Sequence, residues 1–258
     1  MTYKCIILQV IDSIYIVTIN RLEDTNKLNI SCMQELINAL ETAETDKNCS
    51  AVIVTGNGEY FCNGGELGDY RFQSSIQLRE FGKSFIELHT KIIRLSKPVI
   101  GAIQGHTRGG GFSLVEAFDL AVASEKATFG TPEIYIGLAP MMALTGIIQV
   151  LSRKGVMELS LLGDPIPAQR ALEIGLINWV CKPEEVINKA MDIARQLSAK
   201  SPVAISLCKK LYYEISSPNY ERQLESGLSM LVSLLTSEDA REALVAQENK
   251  RTPVWKNQ

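Results

Sequence analysis

The sequence predicts an α/β fold with parallel strands, followed by a helical C-terminal section. Short runs of β-branched residues alternate with helical periodicity as far as about residue 140. Beyond Lys154 the apolar spacing is almost entirely helical. Glycine-bearing turns follow several of the apolar runs, as they do where buried strands end. With 258 residues, 46% hydrophobic and 21% charged, the chain can bury a sizeable core. The expected division is an α/β core over residues 1–195 and a helical section over residues 196–258.

Taken in order, Tyr3–Val10 and Ile14–Ile19 read as a hairpin turning at Asp12-Ser13. Ser31 reads as the N-cap of a helix whose apolar face carries Met33, Leu36, Ile37 and Leu40. Ala51–Thr55 is a short buried strand closed by Gly56-Asn57-Gly58, and residues 61–68 read as a polar, glycine-rich loop. A long helical pattern spans Ser75–Leu95. Pro98–Ile103 and Leu120–Ala123 are further buried strands, with Gly109-Gly110-Gly111 between them. Helices are expected at Pro183–Leu197, Pro202–Ile215, Tyr220–Leu235 and Glu238–Gln247.

Composition excludes several functions. A formal net charge of -3 argues against nucleic acid as a partner. The six cysteines form no Cys-x-x-Cys pair, and His89 and His106 lie apart from them, so no metal site is expected. Reduced thiols in a cytoplasmic protein is the reading. The first twenty residues lack the features of a secretory signal. Ile134–Leu151 is uncharged, but Gly137, Pro140, Gly146 and Gln149 interrupt it, so a buried loop and helix is expected rather than a membrane span.

The chemistry is carried by two features. Three consecutive glycines between a strand and a helix expose backbone N–H groups at a helix N-terminus, where a developing oxyanion can be held. Some twenty residues on, Pro132-Glu133 supplies a carboxyl group able to transfer a proton. Gly64-Gly65 is a second backbone-exposing stretch after a buried strand. Spacing alone leaves open whether the two glycine stretches meet. The glycines fit no dinucleotide or P-loop pattern.

Several stretches, in this order, resemble the enoyl-CoA hydratase/isomerase (crotonase) superfamily over essentially the whole chain. They are residues 61–67, Lys97–Gly105, Gly109–Gly111, Asp119–Ala121, Phe129–Glu133 with Gly137-Leu138, Ala171 with Gly175–Ile177, and the ending from Ser237 to Trp255. The resemblance implies a crotonase-like ββα spiral core with a helical C-terminal trimerisation section, acyl-CoA substrates, and a homotrimer or dimer of trimers. It implies an oxyanion hole from the N–H groups of Gly65 and Gly110, and Glu133 as catalytic acid/base. No metal or redox cofactor is implied; coenzyme A enters as part of the substrate.

This chain also departs from the family pattern. Typical hydratases carry a second glutamate where Ser113 stands, and two-carboxylate hydration needs both. One carboxylate is enough to move a proton, as in double-bond isomerisation. Hydratase-lyases acting on hydroxycinnamoyl-CoA thioesters resemble this chain in carrying Gly-Gly-Gly-Phe-Ser, which keeps hydration with retro-aldol cleavage open. A catalytically reduced acyl-CoA-binding subunit is the reading from another class. Ser113 and Glu116 are candidate assisting residues, although Ser113-x-x-Glu116 reads first as a capping box. Candidate substrate contacts are Cys62, Asn63, Lys27, Met141 and Arg108. Lys27, Lys250 and Arg251 are candidates for the CoA phosphates, and Glu66 for a second acid or a loop-stabilising residue.

Overall fold

The computed structural model describes residues 2–66, 75–136, 140–216, 238–239, 242, 245–246 and 249–256, without the side chains of residues 75–79, 136, 141 and 145. The chain opens with the expected hairpin, β1 (Ile6–Ile11) and β2 (Ile14–Ile19). Asp12 and Ser13 between them have φ of 51° and 66°, the left-handed values that a two-residue hairpin turn demands. β1 begins at Ile6 rather than Tyr3. The N–H groups of Lys4 and Cys5 are taken by the Glu35 carboxylate, the latter at 2.7 Å.

Glu35 lies on α1 (Ile30–Thr45), whose cap corrects the sequence expectation. The N-cap is Asn29, whose Oδ1 accepts the Cys32 N–H at 2.8 Å; Ser31 lies inside the first turn. Leu28 is held in a parallel bridge to Gly65, Asn29 is still extended, and the helix begins at Ile30.

From there the chain repeats one motif. β3 (Ala51–Gly56) is followed by β4 (Tyr60–Asn63) and α2 (Ser75–Arg94). β5 (Val99–Ile103) is followed by β6 (His106–Arg108) and α3 (Gly110–Ala117). β7 (Leu120–Ser124) is followed by β8 (Thr128–Gly130) and a 3-10 turn at Pro132–Ile136. The first strand of each unit joins one sheet and the second joins another. With β9 (Ile166–Pro167) and β10 (Trp179–Cys181), the six-stranded sheet runs β1-β2-β3-β5-β7-β10 and the four-stranded sheet β4-β6-β8-β9. β2, β3, β5, β7 and β10 are parallel neighbours, as are β4, β6 and β8.

Strand alternation splits the core in two. Tyr15, Val17, Val52 and Val54 face the main cluster, which includes α1 and the second sheet. Ile14, Ile16, Ala51 and Ile53 face the other way. Ala190, Met191, Ile193 and Ala194 of α7 (Val186–Ser198) cover that face. α7 packs on the sheet and spans residue 195, where the expected division between core and helical section lies.

α4 (Met141–Val150), α5 (Arg153–Leu162) and α6 (Ala168–Glu173) complete the core region. α8 (Pro202–Ile215) follows and is stapled to the sheet by a buried cation. Lys209 Nζ donates to Asp119 Oδ2 at 2.7 Å and to the carbonyls of Ile92 and Lys97. The helix expected at Tyr220–Leu235 lies outside the described residues. Among the described residues, no helix is long and apolar enough to cross a membrane.

Candidate active site

Topology brings the two glycine stretches together. β4 and β6 are parallel neighbours with Asn63 opposite Arg108, so the residues that follow each strand emerge side by side. Gly64 (φ 94°) and Gly109 (φ 47°) then turn the chain in conformations that side chains resist. A methyl placed on Gly110 would lie 3.2 Å from the Gly65 nitrogen and 3.4 Å from the Gly64 carbonyl carbon. Among the described residues, neither the Gly65 nor the Gly110 N–H has a hydrogen-bond partner. Gly110 is the first residue of α3, where the helix leaves its N–H groups unpaired and partly positive. Two free donors on adjacent backbones can serve one oxygen.

The third strand of the same sheet delivers the acid. β8 pairs with β6, Gly130 opposite Arg108, and the Gly109 N–H donates to the Gly130 carbonyl at 3.0 Å. Three residues on, Glu133 Oε1 sits 3.0 Å from where a Gly109 methyl would be, and Gly64 Cα lies 3.7 Å from that point. Glu133 and both glycine turns therefore share one small region. The turn carrying Glu133 is anchored by Thr131 Oγ1, which donates to the Leu159 carbonyl at 2.8 Å, and by the Tyr135 hydroxyl, which donates to Asp164. Burial raises the Glu133 carboxyl above its ordinary range, opposed by a hydrogen bond from its own backbone N–H. Its Oε2 is shielded and unpartnered. Of its apolar neighbours in sequence, Ile134 is exposed, while the Ile136 side chain and Leu138 lie outside the described residues.

Ser113 and Glu116 do not form a capping box. Ser113 lies inside α3, whose N-cap is Gly109, and its hydroxyl meets the Glu116 side chain instead of a backbone N–H. Ser113 Oγ donates to Glu116 Oε1 at 3.0 Å, and the serine is fully buried. Burial pushes the Glu116 carboxyl up to about 9, with the Ser113 bond opposing. Where the resemblance places a second active-site carboxylate, this chain has a hydroxyl turned toward a neutral acid one helical turn away.

The other sequence candidates fare differently. Cys62 is fully buried under Gly111, and burial pushes its thiol up to about 12. Asn63 Nδ2 bonds Thr25 Oγ1 at 3.0 Å and so fastens the loop. Arg108 donates to the Thr107 and Thr128 carbonyls and to Thr128 Oγ1, clipping β6 to β8. His106 also bonds Thr128. Glu66 is paired with Arg21 at 2.8 Å, the loop-stabilising alternative, and Arg21 also reaches Asp24 and the Lys27 carbonyl. Lys27 is half-buried next to Leu28, the residue bridged to Gly65. Arg251 is held by both oxygens of Glu242. Lys250 precedes it in an exposed turn. The Met141 side chain lies outside the described residues.

Sequence reading missed the aromatic wall. Phe81 and Phe85, one turn apart on α2, crowd the two glycine turns: methyls on Gly65 and Gly110 would meet their rings at 2.8 and 3.0 Å. Their four-residue spacing was the only available signal. These rings lower the local dielectric, which strengthens any hydrogen bond to an oxyanion there. No group of three or more metal-ligating side chains occurs among the described residues.

The family model described as enoyl-CoA hydratase/isomerase matches residues 10–258. The chain is 31% identical to the short-chain-enoyl-CoA hydratase of Clostridium acetobutylicum, over 97% of each chain. It is 31% identical to a probable enoyl-CoA hydratase of Bacillus subtilis, over 90% of this chain and 92% of the relative. Among solved structures, it is similar to an enoyl-CoA hydratase from Bacillus anthracis, with a TM-score of 0.93 at 27% identity, covering 99% of this chain and 100% of the other. An enoyl-CoA hydratase from Polaromonas gives 0.92 at 30% identity, covering 97% and 99%. The chain belongs to the enoyl-CoA hydratase/isomerase family, the crotonase superfamily.

Proposed function

We propose that this chain binds an enoyl-CoA thioester, holds its carbonyl oxygen with the N–H groups of Gly65 and Gly110, and uses Glu133 to move a proton at the adjoining carbons. The observation that carries the reading is the adjacency of two unpaired backbone donors with one raised carboxyl group beside them. As negative charge builds on the thioester oxygen, both donors strengthen; each is worth roughly 3 kcal/mol of barrier. Glu133, as carboxylate, takes the proton and, as acid, returns it.

The reaction is enoyl-CoA isomerisation or hydration. Isomerisation needs only the single proton carrier, and the burial of Ser113 favours it. Hydration is favoured by the relatives, whose names are those of hydratases. Lys27 and Lys250 are candidates for the CoA phosphates. Assembly as a homotrimer or a dimer of trimers belongs to the same reading and is checked by light scattering.

The test is turnover of crotonyl-CoA, a 3-enoyl-CoA and feruloyl-CoA by wild type and Glu133→Gln. Wild type is expected to convert one of the first two, and the variant to lose about 10²- to 10⁴-fold in kcat. Turnover confined to feruloyl-CoA points to a hydratase-lyase. Binding without turnover points to an acyl-CoA-binding subunit. Full activity in the variant rules out this role for Glu133.

A further inference from the structure

A second buried acid lies beyond the proton-transfer site. A cavity of about 810 Å³ opens among α2, α3, α4 and α8. Phe85 borders both this cavity and Gly110, so the space begins one ring away from the oxyanion donors. Its wall is largely apolar, with Phe85, Ile93, Val115, Val150 and Ile205, and Glu116 interrupts it. Lys209, the one lysine among the described lining residues, is already bound to Asp119.

The surroundings of Glu116 are built to hold it. Ser113 donates to Oε1 at 3.0 Å, while Oε2 is buried without a partner. Across from it, Gly146 leaves out a side chain: a methyl there would lie 2.4 Å from Oε1. Burial, which takes its carboxyl to about 9, keeps the group protonated near neutral pH. With Ser113 donating to Oε1, the proton resides on Oε2. The result is a buried O–H donor, on a residue that lines the cavity, that lacks an acceptor, an arrangement that is costly until an acceptor arrives.

We propose that Glu116 is a specificity residue: its carboxyl group selects acyl chains bearing a neutral oxygen acceptor, a hydroxyl or a carbonyl, over plain alkyl chains. The inference rests on the acyl-CoA reading above and names the class of acyl group. An oxygen on the chain supplies the missing acceptor, whereas an alkyl chain leaves the donor unpaired against hydrocarbon.

Calorimetric titration with saturated thioesters tests this without turnover. Hexanoyl-CoA is compared with hexanoyl-CoA carrying a hydroxyl or keto group at carbon 4 or 5, or a hydroxyl at carbon 6. Wild type is expected to bind at least one oxygenated thioester about tenfold to a hundredfold more tightly than hexanoyl-CoA. Glu116→Leu is expected to erase the preference, and Glu116→Gln, whose amide still donates, to retain most of it. Equal affinities in wild type, or a preference that survives Glu116→Leu, overturns the inference. Wild type binding hexanoyl-CoA without preference sinks this inference alone; wild type binding no thioester sinks the acyl-CoA reading as well.

Discussion

Glu133 and Glu116 are the same residue type in two settings that lead to opposite uses. Glu133 is on a short turn beside two free backbone donors, and the residue is half-buried. Glu116 is inside a helix, bonded to a serine, and more fully buried. Burial raises both, but only Glu116 reaches about 9. Moderate desolvation leaves an acid able to ionise and exchange protons. Deep desolvation leaves a neutral group whose use is to donate a hydrogen bond. Depth, not residue type, divides the catalytic candidate from the recognition candidate.

The comparison can be attacked from the donor side first. Gly110→Ala places a methyl 3.2 Å from the Gly65 nitrogen and 3.0 Å from Phe85, so it blocks the hole directly. A loss of about 10²- to 10³-fold in kcat is expected, read on whichever enoyl-CoA wild type accepts. A variant with wild-type kcat separates the glycine turns from the chemistry.

The pH profile separates the two acids. Glu133 acts as a base only when ionised, and burial raises its carboxyl. The rate should therefore fall with decreasing pH through a point above the ordinary carboxylate range. Glu116→Gln is expected to leave this acid limb in place. A limb that moves with Glu116 assigns the titration to the wrong residue.

A smaller effect is expected in stability. With burial pushing its carboxyl up to about 9, Glu116 keeps its proton in the folded state, while the unfolded chain releases it near the ordinary value of 4.5. Between those limits folding takes up a proton, so wild-type stability declines as pH rises. Glu116→Gln removes that dependence. Its melting temperature, measured from pH 6 to 8.5, should gain on wild type as pH increases. A constant gap shows that Glu116 ionises in the folded protein.

Much of this was legible in the residues. The glycine triplet, Pro132-Glu133 and the buried strands at Ala51, Val99 and Leu120 stand out because each is a run with one dominant character. The second sheet was hidden: β6 and β8 are three residues long, too short for periodicity, and Phe61-Cys62-Asn63 of β4 read as loop. Yet that sheet aligns the two glycine turns with Glu133. Side-chain partners were equally hidden. Ser113-x-x-Glu116 fits a cap by spacing, but the helix already starts at Gly110, so the hydroxyl bonds the carboxyl instead. Asn29 displaced Ser31 as a cap: a distant pairing holds Leu28 to Gly65, and the helix begins at Ile30.

Deuterium exchange at the α-carbon of butyryl-CoA, followed by NMR in heavy water, probes the hole and the base together, without a double bond, water addition or cleavage. The account predicts exchange by wild type well above the buffer rate, and a loss of about 10²-fold or more in Glu133→Gln while butyryl-CoA still binds. Exchange in that variant at the wild-type rate, or none in wild type saturated with butyryl-CoA, contradicts it.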